Sequence, residues 1–428
     1  MTDRPNILLI STDQQSASAL SCAGNQDLHT PNMDRLAAEG VRFSRAYCTH
    51  PLCAPARSSY VTGRMPHDTG VPSNQEPLRE ALHGQTLGRL LGGAGYRCAL
   101  AGKWHVPGIT PEEAGLEVLC GPRDDEIPGA SSGFLRSGRE PFFLFASFLN
   151  PHDVCQLARS QPLPQGPVPG PASLAECPNL PANFEEPPYG PEILRWVQAH
   201  TRRVYAAAGF TAEEWRRFRH QYFRIVERVD AEIGRLLEAV RDAGRWEDTL
   251  VLLTSDHGDG HGAHRWNGKT ALWEEVIRVP LLARGPGVRG GGRVEERLVS
   301  NGLDLLPTIC EAAGAAAPAD LPGRSLGPLL AGEEPDDWRN DLVVETITGI
   351  GDGPGGPALA RALVGERRKY SVYALGRGRE QLVDLASDPG EMVNLAVEAR
   401  HGDELEACRQ RLRSLCRAGG DDVGRLIP

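Results

Sequence analysis

Asp13, Lys103 with His105, His152, and Asp256 with His257 each stand at or just beyond the end of a short apolar run. The four runs are NILLIST (6–12), RCALAG (97–102), PFFLFASFL (141–149) and TLVLLTS (249–255). Asp13 and Asp256 are the oxygen donors a hard divalent cation selects, and Gln14 and His257 are neighbours able to complete its shell. Lys103, His105, Lys269 and Arg57 are cationic donors suited to a tetrahedral anion. A metal and positive groups aimed at one small site are what charge stabilisation in sulfuryl or phosphoryl transfer requires. Plainer readings stand beside these. Asp13 in STDQQ would serve as a helix N-cap, and Lys103 and Lys269 would serve as solvated loop charges. The segment SDHGDGHGAHRWNGK also offers His257, His261 and His264 to a zinc ion, although its glycine-rich spacing is not that of two histidines on a helix face.

A second chemical signal is PLCAPARSSYVTGR (51–64), where Cys53 lies two residues before Pro55 and four before Arg57. As a zinc ligand Cys53 lacks a neighbouring cysteine, and as half of a disulfide it lacks an oxidising compartment. As a thiolate nucleophile it would draw on Arg57 and a helix N-terminus to lower its pKa. None of these readings accounts for the proline and arginine that accompany it.

The elements that position these groups are readable from pattern. Each of the four apolar runs is short, lacks alternation and is rich in branched or aromatic residues, as in strands buried on both faces of a sheet. Between them lie helical patterns. TPNMDRLAAEG has Thr30 as N-cap, Pro31 at the first position and Gly40 as a stop, and GQTLGRLLGGAGY follows the same logic more weakly. Residues 211–244 carry Trp215, Phe218, Tyr222, Val226, Val229, Ile233, Leu236 and Val240 at helical steps and close at Gly244. The fold class expected is α/β, with a large mostly parallel sheet sandwiched by helices. Ligands of such a sheet bind beyond the carboxyl ends of its strands. After about residue 340, DLVVETI, ARALVGERRKYSVYA and EQLVDLASD read as strands of a smaller antiparallel sheet, followed by a helix over about 401–417. The expected division is a catalytic domain over 1–340 and a small C-terminal subdomain over 341–428. The proline-rich excursion 161–191, the 65–80 loop and the C-terminal subdomain are placed at the mouth of the site, with Arg202 and Arg203 as groups that would meet an anionic carbohydrate.

The bulk numbers bound the function. A chain of 428 residues with 49 glycines and a net charge of -10 fits a globular enzyme and disfavours a nucleic-acid partner. No run of about 18 apolar residues predicts a membrane span. The N-terminus has no leader pattern, and the ten cysteines form no regular framework, so reduced thiols and a cytoplasmic location are expected.

With these residues in view, the chain resembles the type I sulfatases of the alkaline phosphatase superfamily. Their signature, Cys-x-Pro-Ser-Arg, four residues, then Thr-Gly-Arg, is matched by Cys53-Ala54-Pro55-Ala56-Arg57, SSYV and Thr62-Gly63-Arg64, with Ala56 the one departure. The resemblance implies that Cys53 is oxidised to formylglycine by a formylglycine-generating enzyme acting on the nascent chain. One hydroxyl of the hydrated aldehyde would attack sulfur and the alcohol would leave. Loss of the proton from the second hydroxyl would then expel sulfate. It further implies Asp13, Gln14, Asp256, His257 and residue 53 as ligands of calcium, with manganese the alternative because Gln14 and His257 replace an aspartate and an asparagine of many sulfatases. Lys103 and Lys269 would bind sulfate, His105 would assist its release, His152 would protonate the leaving oxygen, Arg57 would orient residue 53, and His264 would sit behind them. The C-terminal EQLVDLASDPGEMVNLA resembles the family's closing strand and turn. The activity implied is hydrolysis of a small-molecule or carbohydrate sulfate ester. The competing readings are a phosphonate monoester hydrolase or phosphodiesterase on the same scaffold, a cysteine-thiolate hydrolase, and a catalytically silent binding protein.

Overall fold

The computed structural model describes residues 4–138, 141–201, 206–348, 358–422 and 426–428. Fourteen strands are found among them: β1 Asn6–Asp13, β2 Val41–Phe43, β3 Ala46–Tyr47, β4 Arg97–Gly102, β5 Glu117–Cys120, β6 Phe142–Pro151, β7 Thr249–Ser255, β8 Leu281–Arg284, β9 Arg293–Glu295, β10 Val299–Ser300, β11 Asp341–Thr348, β12 Ala358–Gly365, β13 Arg368–Tyr373 and β14 Glu380–Asp384. Eight of them form the main sheet in the order β5-β4-β6-β1-β7-β8-β2-β9. The four apolar runs become the adjacent strands β4, β6, β1 and β7, all mutually parallel. Their carboxyl ends therefore lie side by side along one edge. Antiparallel pairing enters only through β8, against β7 and β2.

Period-two alternation divides each central strand between two cores. Ile7 and Leu9 of β1 face one cluster, with Ala54, Tyr60, Leu305, Leu306 and Ile309 from helices Cys53–Thr62 and Asn301–Ala313. Leu8 and Ile10 face the other, with Met33, Leu36, Ile127, Phe134, Val229 and Ile233 from helices Pro31–Glu39, Ile127–Arg136 and Ala212–Asp242. Each such leucine or isoleucine contributes roughly 1.5–3 kcal/mol on leaving water, so both faces must be covered. This is the sheet sandwiched by helices that the pattern predicts.

Helix boundaries follow their caps. Thr211 and Glu214 form a reciprocal capping box at the start of Ala212–Asp242. Thr30 precedes Pro31–Glu39 as expected, but its hydroxyl bonds Asp34 and Ser21 instead of a helix N–H. Gly40 is not a left-handed cap either, with φ -129. A Cβ there would lie 1.9 Å from the Ala283 carbonyl oxygen, so close approach of β8 selects the glycine. No helix among the described residues is long and apolar enough to cross a membrane.

Strands β11 to β14 form a separate antiparallel sheet in that order. The helix Gly402–Ala418 covers it, burying Leu405, Leu412 and Cys416 against Leu363, Tyr370, Val372 and Leu382. One joint to the main body is His67, whose Nδ1 meets Glu345 of β11 and whose Nε2 lies 2.8 Å from the Gly419 carbonyl. Burial opposes the imidazolium, but hydrogen bonding to Glu345 and the charges of Glu345 and Asp68 outweigh it, raising its pKa to about 9. A folded pKa above the ordinary 6.5 stabilises fully below pH 6.5 and loses that contribution as pH rises through 9. Discounted for solvent screening at this half-buried group, the joint is expected to contribute roughly 1–2 kcal/mol. Denaturant midpoints of the protein and of His67→Gln should differ at pH 6 and converge above pH 9.5; an equal gap at both would refute the charged joint.

Candidate active site

The floor of the site is built by β1, β7 and the helix Cys53–Thr62. Cys53 opens that helix and Pro55 occupies its first turn, where a missing N–H costs nothing. Arg57, one turn on, is 1% exposed and spends its donors on four partners. Its Nε lies 2.9 Å from Asp256 Oδ2 and its Nη2 3.1 Å from Asp13 Oδ2, while Nη1 reaches Ser147 Oγ at 2.7 Å and the Lys103 carbonyl at 3.2 Å. Arg57 therefore ties the ends of β1, β4, β6 and β7 together beneath residue 53.

Above it, Asp13, Cys53, Asp256 and His257 are buried, with one ligating atom from each within 4.8 Å of the others. His257 Nδ1 donates to the Gly258 carbonyl at 2.8 Å, which turns Nε2 toward Cys53 Sγ at 3.3 Å; burial opposes the imidazolium, but the charges of Asp256 and Cys53 raise its pKa. Gln14 has φ 74, which turns the chain out of β1 instead of starting a helix, so the N-cap reading of Asp13 fails. Its N–H bonds Asp256 Oδ1 at 3.0 Å, and its carbonyl accepts from Tyr222 at 3.1 Å. Its side-chain amide donates to Asp259 at 2.6 Å, with the amide oxygen 3.3 Å from Cys155 Sγ.

Half-buried cations line the rim. Lys269 Nζ lies 2.9 Å from Cys53 Sγ. Lys103 Nζ pairs with Asp13 Oδ2, and the residue before it, Gly102 at φ 105, is where a Cβ would come within 2.1 Å of the Ser147 carbonyl. Burial opposes ionisation of Cys53, yet Lys103, Lys269 and His257, with a hydrogen bond from His105, hold the thiol well below its ordinary pKa. Asp13 is buried too, but Lys103, His152 and Arg57 overcome burial and the neighbouring Cys53, keeping its carboxyl below the usual range. Asp256 moves the other way, raised by burial and by the adjacent Asp13. His105 thus lies beside Cys53 and His152 near Asp13. The whole cluster can hold a divalent cation on its floor and a tetrahedral anion between its cations.

The three-histidine zinc reading is not met. His257 faces Cys53, His261 stacks on Tyr222 and meets Arg219 through Nδ1 at 2.9 Å, and His264 stacks on Trp273 with centroids 4.0 Å apart. Burial and Arg219 lower the pKa of His261 to about 3, leaving it a neutral acceptor. The spacing alone did not reveal that the three rings face separate neighbours. Asn74 of the 65–80 loop accepts from the Ala54 N–H at 3.0 Å, and Asn183 of the proline-rich excursion accepts from the His264 N–H at 2.7 Å. Both segments thus border the site's loops, while Arg202 and Arg203 lie outside the described residues. Sequence reasoning missed Asp259, Ser147 and Cys155. Asp259 had a signal, since it shares SDHGDGHG with Asp256 and His257.

Comparisons with known proteins agree with this geometry. The family model described as Sulfatase matches residues 5–114 and 117–315, and that of the N-sulphoglucosamine sulphohydrolase C-terminal region matches 262–418. The Delta 4,5-hexuronate-2-O-sulfatase of Bacteroides thetaiotaomicron is 31% identical over 99% of this chain and 91% of its own. A solved 2-O GAG sulfatase superposes with a TM-score of 0.87 at 29% identity, covering 99% of this chain and 94% of that one. The phosphonate monoester hydrolase of Agrobacterium radiobacter gives a TM-score of 0.79 at 25% identity, covering 97% and 96%. With its cysteine motif at the carboxyl edge of a sheet of this topology, the chain belongs to the type I sulfatases of the alkaline phosphatase superfamily and is a sulfuric ester hydrolase.

Proposed function

We propose that the protein hydrolyses sulfate esters of carbohydrates, with a 2-O-sulfated hexuronate as the substrate to test first, through residue 53 converted from cysteine to formylglycine. The observation that carries the reading is Lys269 Nζ at 2.9 Å from Cys53 Sγ, with His257 Nε2 at 3.3 Å. The sulfur occupies the place where the converted residue would present its reacting oxygen. The 2-O preference draws on the likeness to the Delta 4,5-hexuronate-2-O-sulfatase and to the solved 2-O GAG sulfatase.

The buried carboxylates Asp13 and Asp256, the imidazole of His257 and residue 53 fit a hard divalent ion, calcium or alternatively manganese, and Gln14, whose amide bonds Asp259 and Cys155, would turn to join them. Such an ion would supply Lewis acidity toward an ester oxygen. The chain's own groups do the rest. Lys103 and Lys269 hold the sulfate oxygens and neutralise the charge that builds on them. His152 hands a proton to the departing sugar oxygen, and His105 takes a proton from residue 53 as sulfate is released. Arg57 keeps residue 53 over the two aspartates. Water supplies the remaining oxygen, so the products are the free alcohol and inorganic sulfate.

The test uses protein made beside a formylglycine-generating enzyme. The tryptic peptide 46–57 should lose sulfur and gain an aldehyde, and the protein should then release sulfate from 2-O-sulfated unsaturated hexuronate saccharides. Its kcat/KM on them should exceed that on a phenylphosphonate monoester by at least about tenfold, or ~1.4 kcal/mol. The reverse preference would instead support the phosphonate hydrolase reading, which the likeness to the Agrobacterium radiobacter enzyme favours.

A further inference from the structure

Lys269 is held against residue 53 by an unusual backbone. The next residue, Thr270, has φ 70, a left-handed conformation that is a genuine outlier for a β-branched side chain and persists only when its surroundings enforce it. Its N–H donates to the Pro51 carbonyl at 3.0 Å, two residues before Cys53. Its carbonyl accepts from Thr346 Oγ1 at 3.1 Å and from Thr348 Oγ1 at 2.6 Å. These threonines are two apart on β11, so both face the same side of the C-terminal sheet, and both are buried. The same loop is fastened again at Leu272, whose carbonyl accepts from the buried Lys369 of β13 at 2.9 Å. Glu345 of β11 donates its N–H to Thr49 at 2.9 Å, just upstream of Pro51.

We infer that Thr346 and Thr348 are positioning residues for sulfate binding: through the Thr270 carbonyl they hold the Lys269 ammonium at the reacting end of residue 53. The inference rests on the proposed role of Lys269 as a sulfate ligand. A lysine side chain is long and flexible, and only a fixed backbone places its ammonium within reach of residue 53 without ordering it anew at each binding event. Displacement of a charge-stabilising group by about 1 Å is enough to cost on the order of 100-fold. The C-terminal sheet, which itself supplies none of the groups contacting Cys53 Sγ among the described residues, thereby becomes part of the anion site.

The experiment is a mutant cycle read by equilibrium dialysis with radiolabelled inorganic sulfate and by kcat/KM on the preferred sugar sulfate. Thr346→Val with Thr348→Val keeps the shape and removes both donors. Sulfate affinity and kcat/KM are expected to fall 10- to 100-fold, with conversion of residue 53 unchanged by mass. Thr348→Ser is expected to retain affinity within about threefold, because it keeps the donor. Lys269→Met should lose as much as the valine pair, and combining the two should add little, because both act through one ammonium. Should the valine pair not fold, Thr348→Val alone carries the test, with an expected loss of at least threefold that vanishes in the Lys269→Met background. A normal affinity in the valine variants, or a loss of equal size with and without Lys269, would overturn the positioning role alone. Unchanged sulfate affinity in Lys269→Met would overturn the role of Lys269 and the positioning with it.

Discussion

Cys53→Ser is expected to reduce steady-state turnover of sulfate esters by about 10⁴-fold or more, the scale on which removal of a nucleophile acts, without loss of fold. The side chain is buried at the start of a helix, and a hydroxyl there is close to the thiol in size, so packing is preserved. Chemistry is not. Serine offers one hydroxyl, which Lys103, Lys269 and His257 would still present to an ester, but no second oxygen able to expel the sulfate again. The variant should therefore release about one equivalent of alcohol and stall. Mass spectrometry of its peptide 46–57 should then find one added sulfate. Turnover close to that of the unaltered protein would rule out formylglycine as the nucleophile, and inactivation of unaltered protein by a thiol alkylating agent would point to a thiolate in its place.

Arg57→Met is expected to cost about 3–5 kcal/mol of stability, because removing one partner of a buried ion cluster leaves the other charges uncompensated. The guanidinium is 1% exposed and lies between two fully buried carboxylates, at 2.9 Å from Asp256 and 3.1 Å from Asp13. Arg57→Lys should recover only part of the loss. It restores a charge but not the planar fork that also reaches Ser147 and the Lys103 carbonyl. Denaturant midpoints check both variants, and a methionine variant as stable as the parent would mean that the aspartates do not depend on Arg57.

What the sequence disclosed follows from what dominates locally. Strands β1, β4, β6 and β7 are buried on both faces, so continuous apolar runs revealed them, and their common direction placed Asp13, Lys103, His105, His152, Asp256 and His257 on one edge. Strands β2, β8 and β9 have three or four residues each, too few for any periodicity to register. Their place in the sheet is decided by long-range pairing. At the site, side chains carrying charge were legible by type, and the signature around Cys53 drew Arg57 and Lys269 into one hypothesis. The orientation of His257, the separation of His261 from His264 and the left-handed turn at Thr270 are set by contacts between segments remote in sequence. No local pattern encodes them. The roles proposed for Gln14 and the rim histidines rest on the same tertiary closeness.

The burial of Cys53 also imposes a timetable. In the folded protein a modifying enzyme would have to reach a side chain that is 1% exposed, beneath Lys269 and beside His257. Strand β1 needs both β6 and β7 as neighbours, and β7 is synthesised about 200 residues after Cys53. At roughly 5–20 residues per second, translation leaves about 10–40 seconds between emergence of the cysteine and the strand that completes its surroundings. The proposed conversion therefore belongs to that interval, and the rate of synthesis, as much as the amount of modifying enzyme, would decide what fraction of molecules becomes competent.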